Sequence, residues 1–200
     1  MKEKENGVIF DEQRASTHDK RITALAPMRD ALHLFIRMVL SELPVDARIL
    51  CVGIGTGPEL VYLAQAFPQW QFTAVEPAVP MLDVCRQRAE ACGVASRCIF
   101  HEGYLETLPE SDPFDAATSI LVSQFMMDSD DRQNYFHQVA GRLHPGGFLV
   151  NADLASNKDD SIYKNLLDVW ARTMMYAGVP SEEVEMLGKG VAVLAPREIE

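Results

Sequence analysis

The sequence predicts an α/β fold: a doubly wound, mostly parallel sheet of the Rossmann-like kind. Two features of the chain predict it. From residue 48 onward, short and nearly continuous apolar runs alternate with segments of helical spacing. Such runs suit strands buried on both faces, which a parallel sheet requires. The segment "ARILCVGIGTGPELVYLAQAF" then places Gly53, Gly55 and Gly57 where a strand gives way to a helix. In open parallel sheets ligands bind beyond the carboxyl ends of the strands, where such a turn lies.

Each element follows from its pattern. The polar opening (1–21) reads as an arm, and "MRDALHLFIRMVLSEL" has amphipathic helical spacing ended by Pro44. "RILCV" is a strand, "PELVYLAQAF" a helix and "QFTAVE" a strand. "VPMLDVCRQRAEACG" is a helix closing at Gly93, and "SRCIFH" a strand. "FDAATSILV" is a strand, "SDDRQNYFHQVAGRL" a helix with an acidic first turn, in which Asp130 or Asp131 caps the N-terminus or complements its charge, and "GGFLVNADL" a strand. Beyond Leu154 the alternation stops. "DDSIYKNLLDVWARTMMYAG" reads as a long helix, followed by the acidic turn "VPSEEVE" and by "LAPREIE", which resembles a helix start. One domain is expected over 1–200: an arm and helix to 45, a core over 46–155 and a helical excursion over 156–195. The final strand hairpin usual in this fold is expected to be missing, as though the chain were truncated at Glu200.

Composition narrows the function. With 29 acidic and 18 basic side chains the net charge is −11, which repels polyanions and disfavours broad nucleic-acid binding. Four cysteines without paired spacing predict neither a disulfide framework nor a metal site. The charged N-terminus lacks a signal peptide's apolar region, and "ALHLFIRMVL" is too short and polar to span a bilayer. A cytoplasmic setting and a small-molecule partner are therefore expected.

The glycines bear on the ligand. A dinucleotide site expects G-x-G-x-x-G, whereas here the third glycine falls one position early and Pro58 stands where it should be. Proline suits a first helical position but offers no N–H to an anion. Glu76, 19 residues beyond Gly57, ends the next strand, where a carboxylate can accept both hydroxyls of a ribose. The alternative makes it a solvated strand-end acid.

Five segments in order, "ILCVGIGTG", "FTAVEPAVPML", "FHEGYLETLP", "FDAATSILVSQFM" and "LHPGGFLVNADL", resemble the motifs of class I S-adenosylmethionine-dependent methyltransferases over residues 48–154. The arm "FDEQRASTHDKR" is similar to the leader of small-molecule members, with His18 where Tyr is usual. The resemblance implies S-adenosylmethionine as cofactor. It implies that Gly53, Gly55 and Gly57 let the backbone meet its methionine and ribose portions, with Glu76 on the ribose. Pro77 and Met81 would flank the adenine, and Leu105 would give it a backbone N–H. Ser119, Ile120 and Leu121 would lie near the amino group and sulfonium. Two departures stand out: Cys51 replaces the family's usual acid at the methionine end, and Tyr104 stands where Asp is frequent, able to stack on the adenine but not to accept from its amine.

Methyl transfer from a sulfonium needs alignment more than a fixed catalytic set, although a base helps when the acceptor is protonated. Candidates at the mouth are His18, His101, Tyr104, Gln124, Asp128 and Asp153, each with a plain structural alternative. Trp170, Met174, Met175 and Tyr176 read either as an apolar lid over the acceptor or as ordinary core. The expected function is methyl transfer to a small molecule. A first alternative is a carboxymethyl-type transferase for a transfer-RNA wobble uridine, against which stand the net charge and a lid offering only Lys189, with Arg172 in the helix before it. A second is a cofactor-binding protein without catalysis; with the fifth strand's edge uncovered, the chain is expected either to be less stable than a longer form or to self-associate, a homodimer being one such assembly.

Overall fold

The structure is a computed structural model that describes residues 25–126, 128–154, 161–182 and 184–185. Its elements are α1 (Ala26–Val39), β1 (Arg48–Val52), α2 (Pro58–Ala66), β2 (Gln71–Glu76), α3 (Val79–Ala91), β3 (Cys98–Glu102), β4 (Phe114–Ile120), α4 (Ser129–Gly141), β5 (Leu143–Ala152) and α5 (Tyr163–Tyr176). The five strands form one sheet in the order β3-β2-β1-β4-β5, every neighbouring pair parallel. The order reverses between β1 and β4, which creates a crevice beyond their carboxyl ends.

Side-chain alternation divides the core into two layers. Ile49 and Cys51 of β1, Phe72 and Ala74 of β2, and Ala116 of β4 face α1, α2 and α3. Leu50, Val52, Val75, Phe114 and Ala117 face Tyr135 and Val139 of α4 together with Leu105 and Leu108. Trp70 anchors the first layer: its ring stacks on Phe67 with centroids 3.7 Å apart, and its Nε1 donates to the Pro44 carbonyl at 2.9 Å.

Helix ends follow the local chemistry. Pro58 and Pro80 occupy first-turn positions of α2 and α3. Gly93, at φ 70°, ends α3: its N–H donates to Glu90 and that of Val94 to Ala89, a Schellman closure. The cap of α4 decides between the two roles open to Asp130 and Asp131. Asp128, not Asp130 or Asp131, accepts the first-turn N–H groups, those of Asp130 at 2.8 Å and Asp131 at 3.1 Å. The other two sit inside the helix, where their charge only complements its dipole.

Two further boundaries differ. β4 stops at Ile120 instead of running to Val122, because Leu121 adopts φ 59°. β5 begins at Leu143, with the register shift at its start absorbing Pro145 and Gly146. In α5 no residue is buried, and Met175 and Tyr176 are exposed, so the stripe is not ordinary core. No described helix is long and apolar enough to cross a membrane. His18, Lys189 and the segments expected to form the arm and the terminal helix lie outside the described residues.

Candidate cofactor site

The glycine segment is shaped for close approach. Gly53, Gly55 and Gly57 all have positive φ (64°, 58° and 76°), which non-glycine residues rarely adopt. Their reasons differ. A Cβ on Gly53 would strike Val122, and one on Gly57 would strike the Cys85 sulfur. A Cβ on Gly55 would meet nothing within 4 Å. Gly55 thus presents bare backbone to open space at the strand-switch crevice.

Glu76 supports this loop from β2. Its Oε2 accepts the Gly55 N–H at 2.9 Å and its Oε1 the Ala78 N–H at 3.0 Å. The side chain is buried, which raises its pKa, while the two backbone donors pull it back down. The acid is therefore not a solvated strand end. Its carboxyl joins the glycine loop to the start of α3 and lies beside the open face of Gly55.

The other predicted residues surround the same strand ends. Met81 is buried in the first turn of α3, and Pro77 is exposed just before it. Tyr104 is exposed where a short turn, Leu105–Thr107, follows β3, and Leu105 is buried beneath it. His101 Nε2 lies 2.9 Å from Thr107 Oγ1. Ser119 is fully buried and accepts a 2.8 Å bond from the Tyr135 hydroxyl. Leu121 is the one non-glycine residue with positive φ among those described, and its N–H donates to the Ala152 carbonyl at 2.7 Å. A strained backbone at a strand end marks a place where the surrounding structure imposes a conformation.

Beside this turn a polar network surrounds Asp153. Its carboxylate accepts from Ser123 Oγ at 2.6 Å, Asn151 Nδ2 at 3.0 Å and the Gln124 N–H at 3.3 Å. Gln124 is buried, with its Oε1 taking the Leu154 N–H at 3.2 Å. Of the three foremost base candidates, Gln124 thus orders a loop, Asp128 caps α4, and His18 is outside the described residues.

One buried acid escaped the sequence reading. Glu59, in the first turn of α2, is buried, and burial raises its pKa to about 7 against the pull of a Thr118 hydrogen bond. Among the described residues its Oε1 has no hydrogen-bond partner. In the sequence it looks like any acidic residue at a helix N-terminus. Only the inward parity of Cys51 and Thr118, two polar residues facing α2, hinted at a polar pocket there.

A parallel sheet with a glycine loop and a strand-end carboxylate at its switch point defines a nucleoside-cofactor-binding α/β protein. Comparison with known proteins specifies which. A family profile described as "Methyltransferase domain" matches residues 49–147. The carboxy-S-adenosyl-L-methionine synthase of Campylobacter jejuni is 25% identical over 166 residues, covering 81% of this chain and 68% of that enzyme. A solved Nostoc punctiforme protein provisionally named an O-methyltransferase superposes with TM-score 0.64 at 19% identity, covering 86% of this chain and 48% of that one. DesVI of Streptomyces venezuelae superposes with TM-score 0.60 at 20% identity, covering 74% of this chain and 60% of that one. The chain thus spans 48% and 60% of the length of these two solved structures. It belongs to the class I S-adenosylmethionine-dependent methyltransferases.

Proposed function

We propose that the chain transfers a methyl group from S-adenosylmethionine to a small-molecule acceptor by in-line displacement. The observation that carries this reading is the open face of Gly55 beside the Glu76 carboxyl at the β1/β4 switch point. The residues present fit the cofactor. A ribose diol can donate to the Glu76 oxygens in place of, or alongside, the backbone N–H groups they now accept. The bare Gly55 backbone leaves room for the tail. When bound, the cofactor supplies an electrophilic methyl on a positively charged sulfur.

The chain's own residues have to orient and desolvate the reactants, which accounts for most of the rate in such displacements. The rigid turn at Leu121, tied to β5, fixes one wall of the crevice. Asp153, held by three donors, fixes the acceptor side and is the carboxylate best placed there to accept an acceptor's proton. α5 carries Trp170, Met174 and Met175 as candidate acceptor contacts.

The test is titration calorimetry with S-adenosylmethionine, S-adenosylhomocysteine and NADH, repeated on Glu76→Ala, followed by an acceptor screen read by S-adenosylhomocysteine formation. Micromolar binding of the first two ligands is expected, lost at least tenfold in the variant and absent for NADH. A folded protein that binds neither sulfur ligand would overturn the reading.

A second reading is favoured by the Campylobacter relative, whose name denotes synthesis of a carboxylated S-adenosylmethionine. Use of that cofactor, including the transfer-RNA carboxymethyl reaction, calls for a cation near the sulfonium. Arg172 is an exposed cation on α5, its Nε bonded to the Asp168 carbonyl at 3.2 Å. Tighter binding of the carboxylated form than of S-adenosylmethionine would move the assignment there. Binding without turnover of any acceptor would leave a cofactor-binding protein, and the same fold serves the [4+2]-cyclase SpnF (TM-score 0.54).

A further inference from the structure

Glu59 stands out among the buried polar groups that the proposed chemistry leaves unused. It is 6% exposed, and among the described residues its Oε1 has no hydrogen-bond partner. The cost of burying an unsatisfied carboxyl is met only if something at the site repays it. Its position says what. Glu59 is two residues beyond Gly57, so the loop that exposes Gly55 leads directly into it. Cys51 and Thr118 are register partners across the β1/β4 seam, one pair below the last pair of that ladder, Val52 and Ser119. The Thr118 hydroxyl bonds both the Glu59 carboxyl and the Cys51 thiol, and Glu59 acts electrostatically on that thiol. The carboxyl therefore lies under the glycine loop, across the seam that forms the crevice.

The geometry points to Glu59 as the carboxylate that receives the α-ammonium of the cofactor's methionine end, with Thr118 holding it in place. This rests on the S-adenosylmethionine reading. Of the cofactor's two cations, the sulfonium must turn its methyl toward the open mouth where an acceptor enters. The ammonium is the cation left to run into the closed end of the crevice, where Glu59 is. Strand β1 offers only the neutral Cys51 thiol there, its pKa raised well above the usual thiol value by burial.

Proton accounting follows. With a pKa of about 7, Glu59 is about half protonated at neutral pH before the ligand arrives. Pairing with an ammonium requires the ionised form, so each carboxyl still protonated releases its proton to solvent on binding. The other titratable groups around it behave differently. Cys85 of α3, pushed up to about 12, stays protonated throughout. His33 of α1 is lowered by burial, with Arg29 adding to the effect. Glu76 of β2 also titrates upward and is the group the variant comparison must cancel.

The experiment compares wild type, Glu59→Gln and Thr118→Val for binding of three ligands. S-adenosylmethionine carries both cations, S-adenosylhomocysteine only the ammonium, and the deaminated analogue of the latter neither. Calorimetry in buffers of different ionisation enthalpy counts protons. For Glu59→Gln we expect S-adenosylmethionine and S-adenosylhomocysteine each to bind tenfold or more weakly, with the deaminated analogue unchanged. Wild type should release about half a proton at pH 7 that the variant does not. Thr118→Val, which removes the donor favouring the charged form, should move the pH midpoint of binding upward. Equal losses for all three ligands, or none, would overturn the assignment. So would a loss confined to S-adenosylmethionine, which would place the carboxyl at the sulfonium. If wild type binds none of the ligands, the cofactor reading itself fails. The analogue comparison within wild type needs no substitution, so a variant that fails to fold leaves the assignment exposed to refutation.

Discussion

At the scale of single residues, the site is built from groups held against their solvent preferences. Glu59 and Glu76 are both buried acids with raised pKa values, and Leu121 carries a backbone angle that favours glycine. The burden of Glu59 can be read without any ligand. Folded, it holds its proton more tightly than it does unfolded, so its contribution is most favourable below pH 4.5 and is lost as pH rises toward about 7. The upper bound of that loss is roughly 3 kcal/mol. Glu59→Gln, which keeps the shape and still accepts from Thr118, is expected to match wild type in urea at pH 5 and to exceed it at pH 8. Equal stabilities at pH 8 would mean the carboxyl is better solvated than its position implies. Neither this residue nor the strain at Leu121 was legible in the sequence, because burial and φ are set by what packs above them. Glu76 was legible, since its place at a strand end two elements after the glycines follows from spacing alone.

At the scale of elements, two contacts lock α2 against its neighbours. At its start, Gly57 has φ 76° and its missing Cβ makes room for the Cys85 sulfur of α3. Gly57→Ala therefore meets two penalties, about 1–2 kcal/mol for the left-handed backbone and a clash besides. Combining it with Cys85→Ala should recover the clash but not the backbone term, giving a coupling of about 1 kcal/mol in a double-mutant cycle. Strict additivity would show that the sulfur already yields. At the other end, the Arg97 guanidinium donates to the carbonyls of Ala64 at 2.7 Å, Trp70 at 2.8 Å and Phe67 at 3.3 Å. One cation thus satisfies the orphan carbonyls where α2 turns into β2. Arg97→Met should lower the urea midpoint by an amount equivalent to about 2–3 kcal/mol, with the slope unchanged. Strands and helices from β1 to β5 could be placed from the alternation of apolar runs, because both faces of a parallel sheet need covering. The end of β4, the start of β5 and the cap of α4 could not, since each turns on one local bond or dihedral that the hydrophobic pattern does not encode.

At the scale of the whole molecule, the net charge of −11 acts on the ligand before any contact forms. S-adenosylmethionine is a net monocation, whereas S-adenosylhomocysteine is neutral overall, so a negative field favours the substrate form over the product form. Two contributions to that preference differ in their response to salt. The field of exposed acids is screened within about 10 Å at 0.1 M salt and about 3 Å at 1 M, while buried carboxylates such as Glu59 and Glu76 are screened far less. Raising the salt from about 0.02 M to 0.5 M should therefore cut the affinity ratio of S-adenosylmethionine to S-adenosylhomocysteine by a few-fold and leave a residue that salt does not remove. If Glu59 meets the ammonium, which both ligands share, the Glu59→Gln variant should show the same salt-sensitive part of the ratio as wild type. A ratio that ignores salt in wild type would assign the whole preference to groups inside the crevice, with the acidic surface serving solubility alone.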